Sequence, residues 1–391
     1  MWALLSGRSF GLGKRSFAAL VGQADLRIGR VIVAICLLAT SASAQPFGYQ
    51  GTGPLLGVAP DIAPPPYELK WTYKTNEAER AGVESAPVIA GDTVFVADSR
   101  GVLHAIELAS GKVRWKYDSG DAFATTPLVA DGKVFLGDLS GVFHAVSAKD
   151  GTKLWTVDTE SSIHASANIA GSRILFANDA SDLICVEASD GKIVWKGKGE
   201  DRINAAPSIG GGLAYFSGCD AQLRAFDIQT GQQKFAVEIG ALAPGSPALL
   251  ADRVIIGTDG GRVIALSPDG KKTLWTYEQV DSQGMVYASP SVADDIVVVG
   301  VRDRQVHAID AATGKRLWAF KTRGDVDAPA VISAGRVYVG SKDRKFYVLN
   351  LKTGALLWEF SAGRGIEAGA AIGGGVIVFA DSAGNVFCLG K

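Results

Sequence analysis

Cysteine is scarce and never adjacent to itself: Cys36, Cys185, Cys219 and Cys388 are the four in 391 residues. Three of them follow the N-terminal leader described below. That odd number, at spacings that support no disulfide framework, predicts free and mostly buried thiols. An excess of one charge is also missing. The formal net charge is −1, which removes the case for nucleic-acid binding through a basic surface. No stretch with a helical 3.6-residue period appears beyond the N-terminus. Gly-x-Ser-x-Gly, a Gly-rich phosphate loop, His-Glu-x-x-His and Cys-x-x-Cys are all absent, which lowers the expectation of an enzyme.

What the chain does have is glycine, 48 residues of it, mostly at turns between short apolar runs. That is the pattern of an all-β protein with many short strands. It also has a repeat. Gly111-Lys-Val-Arg-Trp115 returns as Gly151 to Trp155, Gly191 to Trp195, Gly231 to Phe235, Gly270 to Trp275, Gly314 to Trp318 and Gly354 to Trp358. The aromatics Trp115, Trp155, Trp195, Phe235 and Trp275 are 40 positions apart; Trp318 follows after 43 and Trp358 after 40, and Trp71 lies 44 before Trp115. A fixed period of this size means a repeat architecture.

The N-terminus reads as a targeting segment. Arg27 and Arg30 precede the apolar run Val31–Ala39, which is too short for a good membrane span, and Ala42-Ser-Ala44 supplies a small-x-small site. This predicts a secretory signal peptide over 1–44 and an exported protein of the periplasm or cell envelope. Residues 45–66, rich in Pro and Gly and without apolar periodicity, read as an extended linker. The repeat domain is residues 67–391.

One repeat shows four strands: Ala86–Ala90, Thr93–Ala97, Val102–Glu107 and Lys112–Tyr117. Four antiparallel strands in about 40 residues make a propeller blade. The three inner strands recur eight times, and so does the fourth, but its first copy around Trp71 precedes any inner strand. The economical solution is an eight-bladed β-propeller in which the N-terminal strand, residues 67–75, pairs with 385–390 and completes the C-terminal blade. Closure of this kind removes open edges between the ends. The eight aromatics at one repeat position, Trp71, Trp115, Trp155, Trp195, Phe235, Trp275, Trp318 and Trp358, argue packing. Each can cover the gap to a neighbouring blade and send an indole N–H to a backbone carbonyl.

Ala308-Ile-Asp-Ala-Ala-Thr-Gly314-Lys-Arg-Leu-Trp318 carries a family resemblance. It is similar to the tryptophan-docking repeats of the pyrroloquinoline-quinone (PQQ)-type propellers, and the likeness covers residues 67–391. The superfamily includes quinone- and Ca2+-dependent alcohol and sugar dehydrogenases. It also includes the outer-membrane assembly factor BamB, a non-catalytic eight-bladed scaffold whose size and compact repeats this chain resembles. The dehydrogenases carry an adjacent Cys-Cys pair beside the cofactor and stack the quinone on a channel Trp; this chain has no such pair, and its tryptophans fall on outer strands. The resemblance therefore implies a monomeric, non-catalytic scaffold for a protein partner, in cell-envelope or outer-membrane protein assembly, with a PQQ/Ca2+-dependent alcohol or sugar dehydrogenase as the alternative.

Candidate site residues come from positions that vary where the scaffold repeats. His104, His144 and His307 share a repeat position that reads as Cys185, Arg224, Ile264, Tyr347 and Cys388 elsewhere; dispersed round a ring, they cannot converge on one metal. The blades align on Pro87, Pro127, Ala167, Pro207, Pro247, Pro290, Pro329 and Ala370. Three residues earlier stand Glu84, Ala124, His164, Asn204, Pro244, Tyr287, Val326 and Glu367. The start of an inner strand faces the channel mouth, so these positions, with the loop residues Asp201, Arg202, Asp325 and Asp327, form the expected partner surface. Glu84, His164, Asn204, Tyr287, Asp327 and Glu367 are its candidates. No catalytic residue is assigned. Glu84 and Glu367, on neighbouring blades, are the weak candidates for holding a cation or sharing a proton.

Overall fold

The computed structural model describes residues 47–76, 82–278 and 284–391. The leader expected over 1–44 lies outside them. After β1 (Glu68–Lys74), the first blade is built from β2 (Val88–Ala90), β3 (Thr93–Ala97), β4 (Val102–Glu107) and β5 (Val113–Asp118). The pattern repeats to give eight antiparallel four-stranded sheets. Burial falls from the channel outward. β3 is buried at every residue, whereas β5 alternates between exposed and half-buried positions. The β-branched run in β3 suits a strand covered on both faces.

β1 pairs antiparallel with Asn385–Gly390 and completes the sheet that begins at Ala371–Gly373. The N-terminal strand thus closes the last blade, as the phase of the repeat predicts. Facing sheets interlock through aliphatic and aromatic side chains. Phe143 of the second blade stacks on Phe176 of the third at 3.9 Å, and Phe346 of the seventh on Phe379 of the eighth at 4.3 Å. Burying each such ring contributes roughly 1.5–3 kcal/mol.

The aromatic row has a second partner that the repeat alone does not reveal. Trp115 lies flat against Gly151, the hairpin glycine of the next blade: a Cβ there would sit 2.6 Å from the ring. The same holds for Trp71 on Gly111, Trp155 on Gly191, Trp195 on Gly231, Phe235 on Gly270, Trp275 on Gly314 and Trp318 on Gly354. Indole N–H groups of Trp71, Trp195, Trp275 and Trp318 donate to carbonyls of Leu108, Ile228, Ala311 and Leu351, each at 2.8 Å. Trp115 reaches Ala148 at 3.2 Å, and the Trp155 N–H finds no partner among the described residues. At the seam, where the hairpin is replaced by chain ends, Trp358 meets the edge of Tyr67 at 5.3 Å instead.

The register corrects one alignment. Cys185 and Cys388 lie opposite Trp195 and Trp71, where Ala105 lies opposite Trp115. They belong to the small-residue row beneath the indole, not to the row of His104. Ile184 and Phe387 occupy the histidine row in those blades. All three thiols in the described residues are free, and burial pushes Cys185 and Cys388 up to about 12.

The segment over 47–66 is not a free linker. It runs round the inside of the ring as a strap. Phe47 pairs with Val129 of the second blade through N–H···O bonds of 2.8 and 2.7 Å. The carbonyls of Gly53, Pro54, Leu56 and Gly57 then accept from Ile209, Leu249, Val292 and Ile332, the central amides of the fourth to seventh inner strands. Asn168 clamps Gly53 through both ends of its amide at 2.9 Å. Ala59 donates back to Ile332, and Pro60 accepts from Ser333. The strap satisfies inner-edge backbone groups that would otherwise face the channel unpaired.

Candidate functional site

Each blade-to-blade connection is pinned by a buried residue just before the mouth: Val83, Phe123, Ile163, Ile203, Ala243, Val286, Val326 and Ile366. The amides of Phe123, Ile163, Ala243, Val286, Val326 and Ile366 donate to carbonyls of the preceding blade, for instance Ile163 to Asp138 at 3.0 Å and Val286 to Thr258 at 3.0 Å. Several press on a glycine, such as Ile366 on Gly340, where a Cβ would be 2.2 Å away. With that residue anchored, the next one is delivered to the mouth. The row at the mouth is therefore Glu84, Ala124, His164, Asn204, Pro244, Tyr287, Asp327 and Glu367, which all line one cavity of about 190 Å³. Val326 does not belong to it. Alignment on Pro329 slips the seventh blade by one residue, because Ala330 occupies the place that proline takes in most of the others.

The cavity floor is Tyr49 of the strap, whose hydroxyl meets Ser289 at 2.7 Å. Around it, hydroxyls tie blade to blade. The amides of Ala86, Thr126, Ala206 and Ser246 donate to the side-chain oxygens of Thr126, Ser166, Ser246 and Ser289 at 2.7–3.0 Å.

Charge is distributed unevenly over the mouth. On the side of the sixth to eighth blades the groups form a chain. The Arg302 guanidinium lies 3.6 Å from the Tyr287 ring centroid and grips Asp327 with two bonds of 2.9 Å. Lys342 bridges Asp327 at 2.8 Å and Glu367 at 3.4 Å. Burial raises the Asp327 carboxyl, but Arg302 and Lys342 outweigh it and hold it below the usual range. On the opposite side His164 Nδ1 meets Asp179 at 3.1 Å, with Arg202 at 4.0 Å from the same carboxylate. Glu84 has no polar partner among the described residues. Glu84 and Glu367 line the same cavity, but Glu367 takes Lys342 as its counter-ion.

Sequence reasoning missed Arg302, Lys342 and Asp179 because they form a second variable row. Ser99, Leu139, Asp179, Cys219, Asp259, Arg302, Lys342 and Ser382 each donate an amide to the loop entering from the neighbouring connection. Aligning the blades on the end of their second strand would have exposed this row.

The row histidines are structural. His104 Nε2–H donates to Asp98 at 3.0 Å and Nδ1 accepts from Tyr73 of the neighbouring blade at 2.9 Å. His144 repeats this with Asp138 and Tyr117, and His307 with Asp303 and Tyr277. Each imidazole bridges two blades through its two ring nitrogens.

The family model described as outer membrane protein assembly factor BamB matches residues 67–169, 140–286 and 272–390. The chain belongs to this family. A stretch of 121 residues is 31% identical to BamB of Burkholderia pseudomallei, covering 31% of this chain and 30% of that protein. The aligned part thus spans less than a third of this curated relative's length. BamB from Moraxella catarrhalis superposes with a TM-score of 0.69 at 17% identity, over 84% of this chain and 98% of that structure. The quinohemoprotein alcohol dehydrogenase of Comamonas testosteroni gives 0.73 at 14% identity, over 83% and 77%. Both structural likenesses carry the fold alone. The BamB family assignment rests on the sequence match across all eight blades.

Proposed function

We propose that this protein is an exported, non-catalytic scaffold that holds a protein partner at the channel mouth, in the manner its family's description suggests, for outer-membrane protein assembly. The observation that carries this reading is the mouth itself. His164, Asp327 and Glu367 are held in ion pairs, while apolar side chains stand exposed on the loops around them. Leu242 and Met285 are 40% and 41% exposed although their carbonyls are fixed by the amides of Asp259 and Arg302. Tyr287 and Arg302 beside them, stacked at 3.6 Å, and Met285 are residue types enriched at protein interfaces. The envelope location belongs to the same proposal; no helix among the described residues is long and apolar enough to cross a membrane.

The residues at the mouth do not fit a quinone with Ca2+. The cavity, about 190 Å³ and lined by Tyr49 of the strap, is smaller than the roughly 300–1,000 Å³ of ordinary small-molecule sites. Arg302 and Lys342 are committed to Asp327 and Glu367. The tryptophans lie between blades, and no group of three or more carboxylate, His or Cys side chains among the described residues converges for a metal.

The test is site-specific photo-crosslinking in the intact envelope from Leu242, Met285 and, as control, Lys116 on β5. A discrete adduct from the first two and none from the third is expected. Adducts indifferent to position would overturn the mouth as partner surface. In parallel, titrating the purified protein with pyrroloquinoline quinone and Ca2+ should leave Trp fluorescence unchanged and give no dye reduction with alcohols or sugars; saturable binding with turnover would replace the scaffold reading by the dehydrogenase one.

A further inference from the structure

The ring contains its own control for the inner edges of its blades. The central amide of each inner strand points into the channel. Val129, Ile209, Leu249, Val292 and Ile332 donate to the strap, and Ile169 donates to the Asn168 side chain at 2.8 Å. The two remaining members of the row, Ile89 of the first blade and Ile372 of the eighth, have no such partner among the described residues. The described part of the strap runs from Phe47 over the second blade to Ala59 over the seventh and pairs with neither of these two strands. These two strands are neighbours: a Cβ on Gly373 would sit 3.4 Å from the Ile89 side chain.

The gap is a formed cleft of about 220 Å³. Its walls are Val88–Ile89 and Ala371–Ile372, and its lips are the two limbs of the strap, with Phe47 on one and Val58 on the other. Val58 is 50% exposed and Phe47 36%, whereas Ile89 and Ile372 are 8% and 7% exposed. Among the described residues these two backbone amides are thus without a partner, at a nearly buried place under apolar lips. An unpaired backbone edge takes an added extended segment through main-chain hydrogen bonds.

We propose that this cleft is a second binding site, which takes an extended segment of a partner chain, small-residued and apolar, that completes the pairing of Ile89 and Ile372. The strap shows what such a segment looks like. Pro54, Leu55, Leu56, Gly57, Val58 and Ala59 lie along the fifth to seventh inner strands, offering carbonyls to successive amides. The cleft is the direct continuation of that interface. Both directions are accommodated, since Phe47 runs antiparallel to Val129 and Val58 parallel to Ile332. The site is separate from the mouth, so it stands or falls independently of the partner proposed there.

The test uses the strap's own sequence in trans, an acetylated and amidated peptide of residues 53–60, added to the full protein. Amide hydrogen exchange is the readout. Saturable micromolar binding is expected, with exchange at Ile89 and Ile372 slowed at least tenfold and exchange at Ile209 and Leu249 unchanged. The same peptide N-methylated at alternate amides should lose at least tenfold in affinity. Val58→Glu places a charge on an exposed lip, so the unfolding midpoint should hold while peptide binding is lost. Exchange at Ile89 and Ile372 that is already as slow as at Ile209 before peptide is added would overturn the proposal, as would binding that leaves those two amides unchanged.

Discussion

A glycine in this fold does one of two jobs, and substitution separates them. Gly91 and Gly151 both have positive φ, +61° and +76°, but a Cβ on Gly91 meets nothing within 4 Å, whereas one on Gly151 collides with Trp115. Gly91→Ala should cost about 1 kcal/mol, the price of a left-handed L-residue. Gly151→Ala should cost about 1–3 kcal/mol more, because the indole must leave its seat. Urea unfolding of the two variants checks this, and equal losses would mean that the ring adapts. The inter-blade carboxylates give a second residue-scale prediction. Burial raises the Asp98 and Asp138 carboxyls, but hydrogen bonds from His104 and His144 and from the amides of Val102 and Val142 outweigh it, leaving both lowered. A carboxyl lowered in the folded state contributes stability above its unfolded pKa, near 4, and loses it as pH falls through the folded value. Asp98→Asn with Asp138→Asn should therefore flatten the loss of stability on the acid side, between about pH 5 and 2, relative to the parent protein.

At the scale of elements, strands and strap depended on different information. The blades were legible because their signal is carried by side chains: a glycine with positive φ at the hairpin, a large aromatic four or five residues on, β-branched runs between. The mouth row was legible for the same reason, since Glu84, His164, Asn204, Tyr287 and Glu367 stand at one offset from the aligned inner strands. It failed where that offset moved, at Val326 and Asp327, because a proline one residue early gave a false anchor. Cys185 was misplaced because neighbouring apolar residues do not distinguish one strand register from the next. The strap was illegible in principle. It is held mainly by its backbone carbonyls, which every sequence possesses, and its Pro and Gly content reads equally as a linker. Deleting residues 47–60 tests its weight. The blades should remain, with unchanged far-ultraviolet circular dichroism, while exchange at Ile209, Leu249, Val292 and Ile332 accelerates by at least tenfold. Unchanged exchange at those amides would deny the strap a stabilising role.

For the whole molecule, closure of the ring decides cooperativity. Each sheet packs on two neighbours, and the eighth is complete only when β1 joins Asn385–Gly390. Deleting residues 67–75 should open the ring, remove Trp71 from Gly111 and replace one steep unfolding transition by a broad or multiple one, as in open repeat arrays. Calorimetry would show it, and a single sharp transition retained at nearly the same temperature would mean that packing between blades suffices. At this scale the sequence was most informative, since counting inner and outer strands separately is enough to reveal that one copy is out of phase.

That phase shift has a temporal side. β1 is among the earliest strands to be synthesised, and its partner among the latest. Until Asn385–Gly390 exist, β1 has no sheet to join, and the last blade lacks its outer strand. Blades can form one by one behind the ribosome or a translocation pore, but the ring closes only once Asn385–Gly390 are available. Contacts between such distant residues come late and slowly. A chain threaded through a membrane would thus stay short of its locked state until Asn385–Gly390 emerge, and a stop ahead of them would leave an unclosed ring for proteases to find.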